Sequence, residues 1–283
     1  MSIQNFIRTS WEANIQTSLK KTHVFGSVAN REYDGVINAL GDKVEIIQIG
    51  DVTINAYTRR QTLTRQEMHD SVTELKADQA YYFDFDVNDV DAVQQKPQIL
   101  TSTTDNAAYG FRDTVDSYLA GLYAQAGLTS YASGTEPWNV TSLNVEDVLG
   151  DIKEKMARVP KEGRFLICPE WTHYKMFQAG LTAKTSTDQM YANGFIERVM
   201  GFDILLSENV SASTGAPTWD STKVMAGLRN VSYGFAEAIL KVEAFRPEGG
   251  FEDAVKGLYV FGGKVLRPDT LCAAYVDKTA ESA

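Results

Sequence analysis

Asp84, Asp86, Asn88, Asp89 and Asp91 are the residues whose types and spacing come nearest to a site of chemistry in this chain of 283 residues. They lie in the run QAYYFDFDVNDVDAVQQ, from Gln79 to Gln95. Oxygen ligands at alternate positions can converge on a hard cation, and Asp84, Asp86 and Asn88 have the opening spacing of a calcium loop of the EF-hand type. Counted from Asp84, the position that needs a turn-forming Gly holds Asp89, and the position that needs a bidentate Glu holds Gln95. Without those two residues the loop geometry fails. The residues favour a strand (Tyr81, Tyr82, Phe83, Phe85) that leaves a core and carries its carboxylates into solvent. A metal-dependent hydrolase using Asp84 to Asp91 is kept as the lesser alternative.

The other reactive side chains form no constellation. His23, His69 and His173 are far apart and fall in no HExxH spacing, so a zinc enzyme has no ligand set. No G-x-S-x-G elbow is present. Cys168 precedes Pro169 in an apolar strand, where burial raises a thiol's pKa and leaves it inert. Leu258 to Val265 reads LYVFGGKV, a near miss to a phosphate loop that lacks the first Gly and has Val265 where Ser or Thr would hold magnesium. A glycine-bent strand explains it better. Glu243 with Glu248, and Glu252 with Asp253, have no spacing that separates them from solvated loop charges. The expectation is a protein that is not an enzyme, with no catalytic residues, no cofactor and no metal.

Composition sets the class. Hydrophobic content of 43% and charged content of 23% suit a globular chain with a sizeable core. No apolar run approaches the roughly 18 residues that span a bilayer, and the start lacks a signal-peptide pattern. Two separated cysteines fit a reducing compartment, so a cytoplasm without membrane attachment is expected. Net charge is −10 and the basic residues are scattered. A protein that grips DNA through phosphates needs a basic patch, because counterion release supplies much of the affinity.

The elements that position these residues follow from periodicity. Ile3, Ile7, Trp11, Ile15 and Leu19 recur every fourth residue, a helical stripe that serves either its own domain or a neighbouring subunit. From Val44 to Asp91 the pattern is strand-like, with Val52, Ile54 and Ala56 alternating outward and Leu75 and Ala77 on the return. Between them, Thr58 to Ser71 carries Arg59, Arg60, Arg65, Glu67, His69 and Asp70, and reads as the tip of a long hairpin without a core of its own. A two-stranded ribbon is marginal in water, so a partner surface is implied. Asp105 to Gly127 predicts a long helix capped by Gly127, and Ser130 to Thr141 a loop. Val145 to Ala157 predicts a helix capped by Asn144, Arg164 to Cys168 a strand, and Pro169 the start of another helix. Val199 to Leu206 reads as one strand, Gly180 to Asn193 and Ser211 to Thr222 as polar loops, and the rest as strand-rich.

Several stretches, in order along the chain, resemble the major capsid proteins of tailed double-stranded-DNA bacteriophages. Phe6, Trp11 and Leu19 leading to Asn30-Arg31-Glu32-Tyr33-Asp34-Gly35 are similar to the family's arm with its N-R-x-Y-x-G ending. Gly41-Asp42-Lys43-Val44, Ile49-Gly50 and Tyr57-Thr58 look like the entry to its long hairpin, and the aspartate run looks like the stretch that follows. Met200-Gly201-Phe202-Asp203-Ile204 with Ser207-Glu208-Asn209 resembles its G-F-x-I-x-x-S-x-N segment. Gly257 to Pro268 looks like its closing strand pair.

The resemblance implies an α+β fold with an N-terminal arm (1–43), an extended β-hairpin loop with flanking strands (44–91), a peripheral domain (92–140 and 223–283, spine helix 105–127) and an axial α/β domain (141–222). It implies a coat protein that self-assembles into hexamers and pentamers of an icosahedral head, enclosing DNA without sequence-specific binding. A precursor shell would form in the host cytoplasm around a separate scaffold protein and a portal protein, then expand, with a decoration protein as an optional partner. Phe6, Ile7, Trp11 and Ile15 of the arm, and Arg59, Arg60, Arg65, Glu67 and Asp70 of the hairpin, are the expected subunit-interface residues. An encapsulin-like bacterial shell is the alternative within the same fold.

Overall fold

The computed structural model describes residues 24–37, 39–49, 54–57, 59–60, 65–66, 70–88, 98–181, 196–210, 222–245 and 252–277. The chain enters through a single turn of helix, α1 (Phe25–Val28), and then forms β1 (Lys43–Ile49), β2 (Asp70–Lys76) and β3 (Gln79–Asn88). The long helix α2 (Gln98–Gly121) runs into a 3₁₀ turn at Leu122–Gln125. There follow β4 (Leu128–Ser130), β5 (Trp138–Asn139), α3 (Val145–Lys155), β6 (Arg164–Cys168), α4 (Glu170–Gln178), β7 (Ile196–Val199) and β8 (Phe202–Leu206). The last strands are β9 (Thr222–Leu228), β10 (Tyr233–Phe245), β11 (Glu252–Val265) and β12 (Cys272–Asp277).

Three sheets result. β1 and β2 form an antiparallel ribbon, with Ile47 opposite Val72. β10, β11 and β3 form a long antiparallel sheet in that order. A seven-stranded mixed sheet has the order β4-β12-β9-β6-β8-β7, with β5 also on β12. β9 and β12 come from the stretch 223–283 or its border, yet they are hydrogen-bonded into one sheet with β6 and β8 of 141–222. The division near residue 222 therefore passes through a sheet and not along a linker.

Side-chain alternation along the strands separates two cores. Phe165 and Ile167 of β6 join one cluster with Phe111, Val115 and Leu119 of α2 and with Tyr233, Phe235, Tyr259 and Phe261 of the long sheet. Leu166 and Cys168 face the other way, into a cluster with Val148, Leu149 and Ile152 of α3. Each fully buried aliphatic or aromatic side chain contributes roughly 1.5–3 kcal/mol. A third, small cluster of Ile37, Leu75, Ala77, Ala236 and Val260 ties the base of the β1–β2 ribbon to the long sheet.

Several sequence expectations are corrected. The long helix is Gln98–Gly121, not 105–127, and its 24 residues span about 36 Å. Gly127 does not cap it: its N–H donates to the Pro268 carbonyl at 2.9 Å, and a Cβ there would lie 2.6 Å from that oxygen. The expected strand 199–206 is a hairpin, because Met200 (φ 51°) and Gly201 (φ 95°) form a tight left-handed turn between β7 and β8. The ribbon's strand is β1, whereas 54–57 have no regular structure and Val52 lies outside the described residues. The expected loop 130–141 contains β5. Asn144 precedes α3, but its Oδ1 accepts the Thr141 N–H at 2.7 Å instead of capping the helix.

Candidate assembly surfaces

Phe6, Ile7, Trp11 and Ile15 lie outside the described residues. The described residues begin at Val24, and a clamp holds the chain there. Phe25 is fully buried, its ring edge-on to Tyr233 at 6.2 Å. Asp116, buried on α2, accepts the backbone N–H of Val24 at 3.1 Å and of Phe25 at 3.3 Å. Donors in the first turn of α1 have no intrahelical acceptor, so a carboxylate is what that position favours.

The N-R-x-Y-x-G run is a paired turn. Asn30 donates its N–H to the Tyr233 carbonyl at 2.7 Å and accepts the Phe235 N–H at 3.0 Å, which extends the long sheet by one bridge. Its side-chain oxygen accepts the Glu32 N–H at 2.9 Å. Arg31 pairs with Glu237 of β10 and with Asp34 at 2.9 Å, and lies 5.3 Å over the Phe235 ring. The Tyr259 hydroxyl donates to Glu237 at 2.5 Å. Burial alone would lower the Arg31 guanidinium, but Glu237 and Asp34 beside it hold it above its usual range. Burial, with Glu237 adjacent, pushes the Tyr259 phenol well up. Gly35 at φ 86° closes the turn.

At the far end of the ribbon, Arg59, Arg60 and Arg65 are exposed, and Arg60 takes φ 73° in a turn. None of the three has an ion pair among the described residues. Of the expected acidic partners, Glu67 lies outside the described residues, and only the backbone of Asp70, opposite Ile49, is described. Beside the arginines, Ile54 is 94% exposed and Tyr57 69%. Nearer the base, Lys43 bridges Glu45 at 2.9 Å and Glu74 at 2.8 Å, which raises the ammonium and lowers the Glu74 carboxyl.

Asp84 and Asp86 lie on a strand, not in a loop. β3 pairs with β11 as far as Asn88, with Asp84 opposite Lys256 and Asp86 opposite Ala254. That ladder occupies the backbone a calcium loop would fold around an ion. Asp89 and Asp91 lie outside the described residues. The near-miss phosphate loop lies within β11 as well. A Cβ at Gly262 would sit 2.1 Å from the Lys76 carbonyl, and one at Gly263 2.6 Å from Leu119, so the two glycines let the ribbon and α2 close on opposite faces of the sheet. Cys168 and Cys272 are buried, and burial pushes both thiols up to about 12.

Sequence reasoning missed a surface on the long sheet. Tyr82 of β3, 78% exposed, stands opposite Leu258 of β11. With Asp84, Glu243, Lys256 and Gly257 they line a groove of about 380 Å³. Lys256 lies 3.5 Å from Glu243 and 4.7 Å over the Phe245 ring. Asp84, by contrast, is exposed and has no ion pair among the described residues. The pairing of Tyr82 with Leu258 joins positions far apart in sequence, and no local signal announces it.

No curated protein is significantly similar in sequence. Solved structures are similar in fold. A chain of Mycobacterium phage Che8 is 24% identical with a TM-score of 0.69, over 89% of this chain and 91% of that one. One from the capsid of cyanophage P-SCSP1u is 17% identical with a TM-score of 0.66, over 91% and 89%. One from the capsid of Ralstonia phage GP4 is 12% identical with a TM-score of 0.66, over 93% and 92%. The family model described as phage capsid protein matches residues 52–274, most of the chain, from just after β1 into β12. The chain belongs to the phage capsid protein family.

Proposed function

We propose that this chain is the coat subunit of a tailed phage head, and that its hexamers and pentamers close into an icosahedral shell around double-stranded DNA. The observation that carries the reading is the family match over 52–274, together with a two-stranded ribbon whose Ile47 and Val72 stay exposed beyond the cluster at its base. The role is structural, without catalysis. The arm before Val24 and the arginine tip of the ribbon contact neighbouring copies. The unit of α2 with β3, β10 and β11 serves as the peripheral lobe, and the unit of α3, β6, α4 and β8 as the axial lobe. A net charge of −10 suits a container that confines DNA without gripping it. A separate scaffold protein and a portal protein direct assembly in the host cytoplasm, and the finished subunit resides in the virion.

Electron microscopy of particles from cells expressing the chain tests this. The expected result is closed icosahedral shells that fill with DNA when portal and packaging proteins are supplied. Small closed shells holding protein cargo would favour the encapsulin-like alternative, and a purely monomeric product would refute both.

A further inference from the structure

We propose that the turn from Asn30 to Ile37 is a proton-controlled lock on the outer edge of β10, closed more firmly in mild acid than at neutrality. It operates within a single copy of the chain and does not depend on the contacts between copies.

Two carboxylates share one cation there. Arg31 pairs with Asp34 at 2.9 Å and with Glu237. Glu237 also accepts the Tyr259 hydroxyl at 2.5 Å, and Asp34 accepts the Glu237 backbone N–H at 3.2 Å. That last bond continues the pairing of Asn30 with Tyr233 and Phe235, so the turn covers the start of β10 at the edge of the long sheet. Ile37, at the end of the turn, is buried in the cluster at the base of the ribbon. The lock therefore also fixes the root of the ribbon.

The charged and titratable groups facing Asp34 are Arg31 on its own turn and Glu237 on β10, with Tyr259 of β11 bonded to Glu237 from behind. At neutral pH the two carboxylates exceed the guanidinium by one negative charge. Asp34 is only 32% exposed and Glu237 12%, so water screens the excess poorly. Like charges in such a site drive one of the pair toward its protonated form, and Asp34 is the one more open to solvent. Burial, with Glu237 adding to it, outweighs Arg31 and raises the Asp34 carboxyl above its ordinary 3.8. A carboxyl raised in the docked turn holds its proton more tightly there than in the released turn. The lock thus gains stability as the pH falls, and loses it as the pH rises through the raised value. Once protonated, Asp34 keeps an oxygen for the Glu237 N–H, while Arg31 and Glu237 remain as a neutral pair.

Amide hydrogen exchange on the full-length chain tests this, read at single residues by mass spectrometry and normalised to amides of the β6–β9 ladder. Between about pH 7 and about pH 4.5, protection of the Phe235 and Glu237 amides should rise about threefold or more against that ladder. Asp34→Asn, neutral throughout, should protect both amides at neutrality as acid protects the wild type, with no further change on acidification. Glu237→Gln should shrink the rise, since Arg31 then serves Asp34 alone.

Wild-type protection that falls or stays level on acidification would overturn the proposal. So would an Asp34→Asn chain that exchanges faster than wild type at neutrality, or a rise undiminished in either variant. The wild-type profile decides alone if a variant does not fold. None of these outcomes bears on the coat-protein reading, which particle formation tests separately.

Discussion

Asp116 and the two backbone donors it accepts, from Val24 and Phe25, give the most exacting test of a single side chain. Asp116→Ala leaves those N–H groups without their acceptor in a buried setting, and each such loss costs about 1–3 kcal/mol. The expected fall in stability is about 2–4 kcal/mol, read from urea unfolding, with Asp116→Asn losing less because one acceptor oxygen is kept. An unchanged midpoint for the alanine variant would show that the clamp contributes nothing. Gly262→Ala is expected to be worse tolerated than Gly257→Ala. The first drives a methyl onto the Lys76 backbone, 2.1 Å away, and the second onto the Phe83 ring, which can swing aside. The cysteines make a gentler prediction. With both thiols pushed up to about 12 by burial, neither forms thiolate at pH 7–9. An alkylating reagent should label neither in the folded chain and both in guanidinium, as mass spectrometry would show.

Among the elements, the arm is read as an assembly contact. On that reading, deleting 3–19 should leave a folded body that fails to close shells. Normal particles from the truncated chain would exclude the arm from the interface. How well an element could be read from the sequence depended on whether its signals were local. β6 was readable to the residue, because an apolar run between Gly163 and Pro169 has no other use. α3 was nearly so, with its apolar face and Pro160 beyond. The start of α2 was not: Gln98 to Asp105 is polar and rich in Ser and Thr, residues that favour caps and turns over helix interiors. Nor was the β7–β8 turn, since a Met at positive φ is rarely a turn signal. The arginine tip stood out because its charges are adjacent in sequence. The groove at Tyr82 did not, because Tyr82, Glu243 and Leu258 meet only through strand pairing between distant segments.

For the whole molecule, β3 carries its carboxylates on a paired strand, so shells should survive prolonged chelation. Dissociation in chelator, reversed by calcium and followed by light scattering, would restore the metal-loop reading. The order in which the seven-stranded sheet is laid down has a further effect. β12 lies between β4 and β5 on one side and β9 on the other, and it is synthesised after every other strand of that sheet. A chain still on the ribosome holds β9 and β4 with open edges and leaves the two inner clusters without Ala273, Cys272 and Val276. Translation itself therefore acts as a timer: a nascent coat subunit cannot present a finished body to its neighbours until β12 has cleared the exit tunnel.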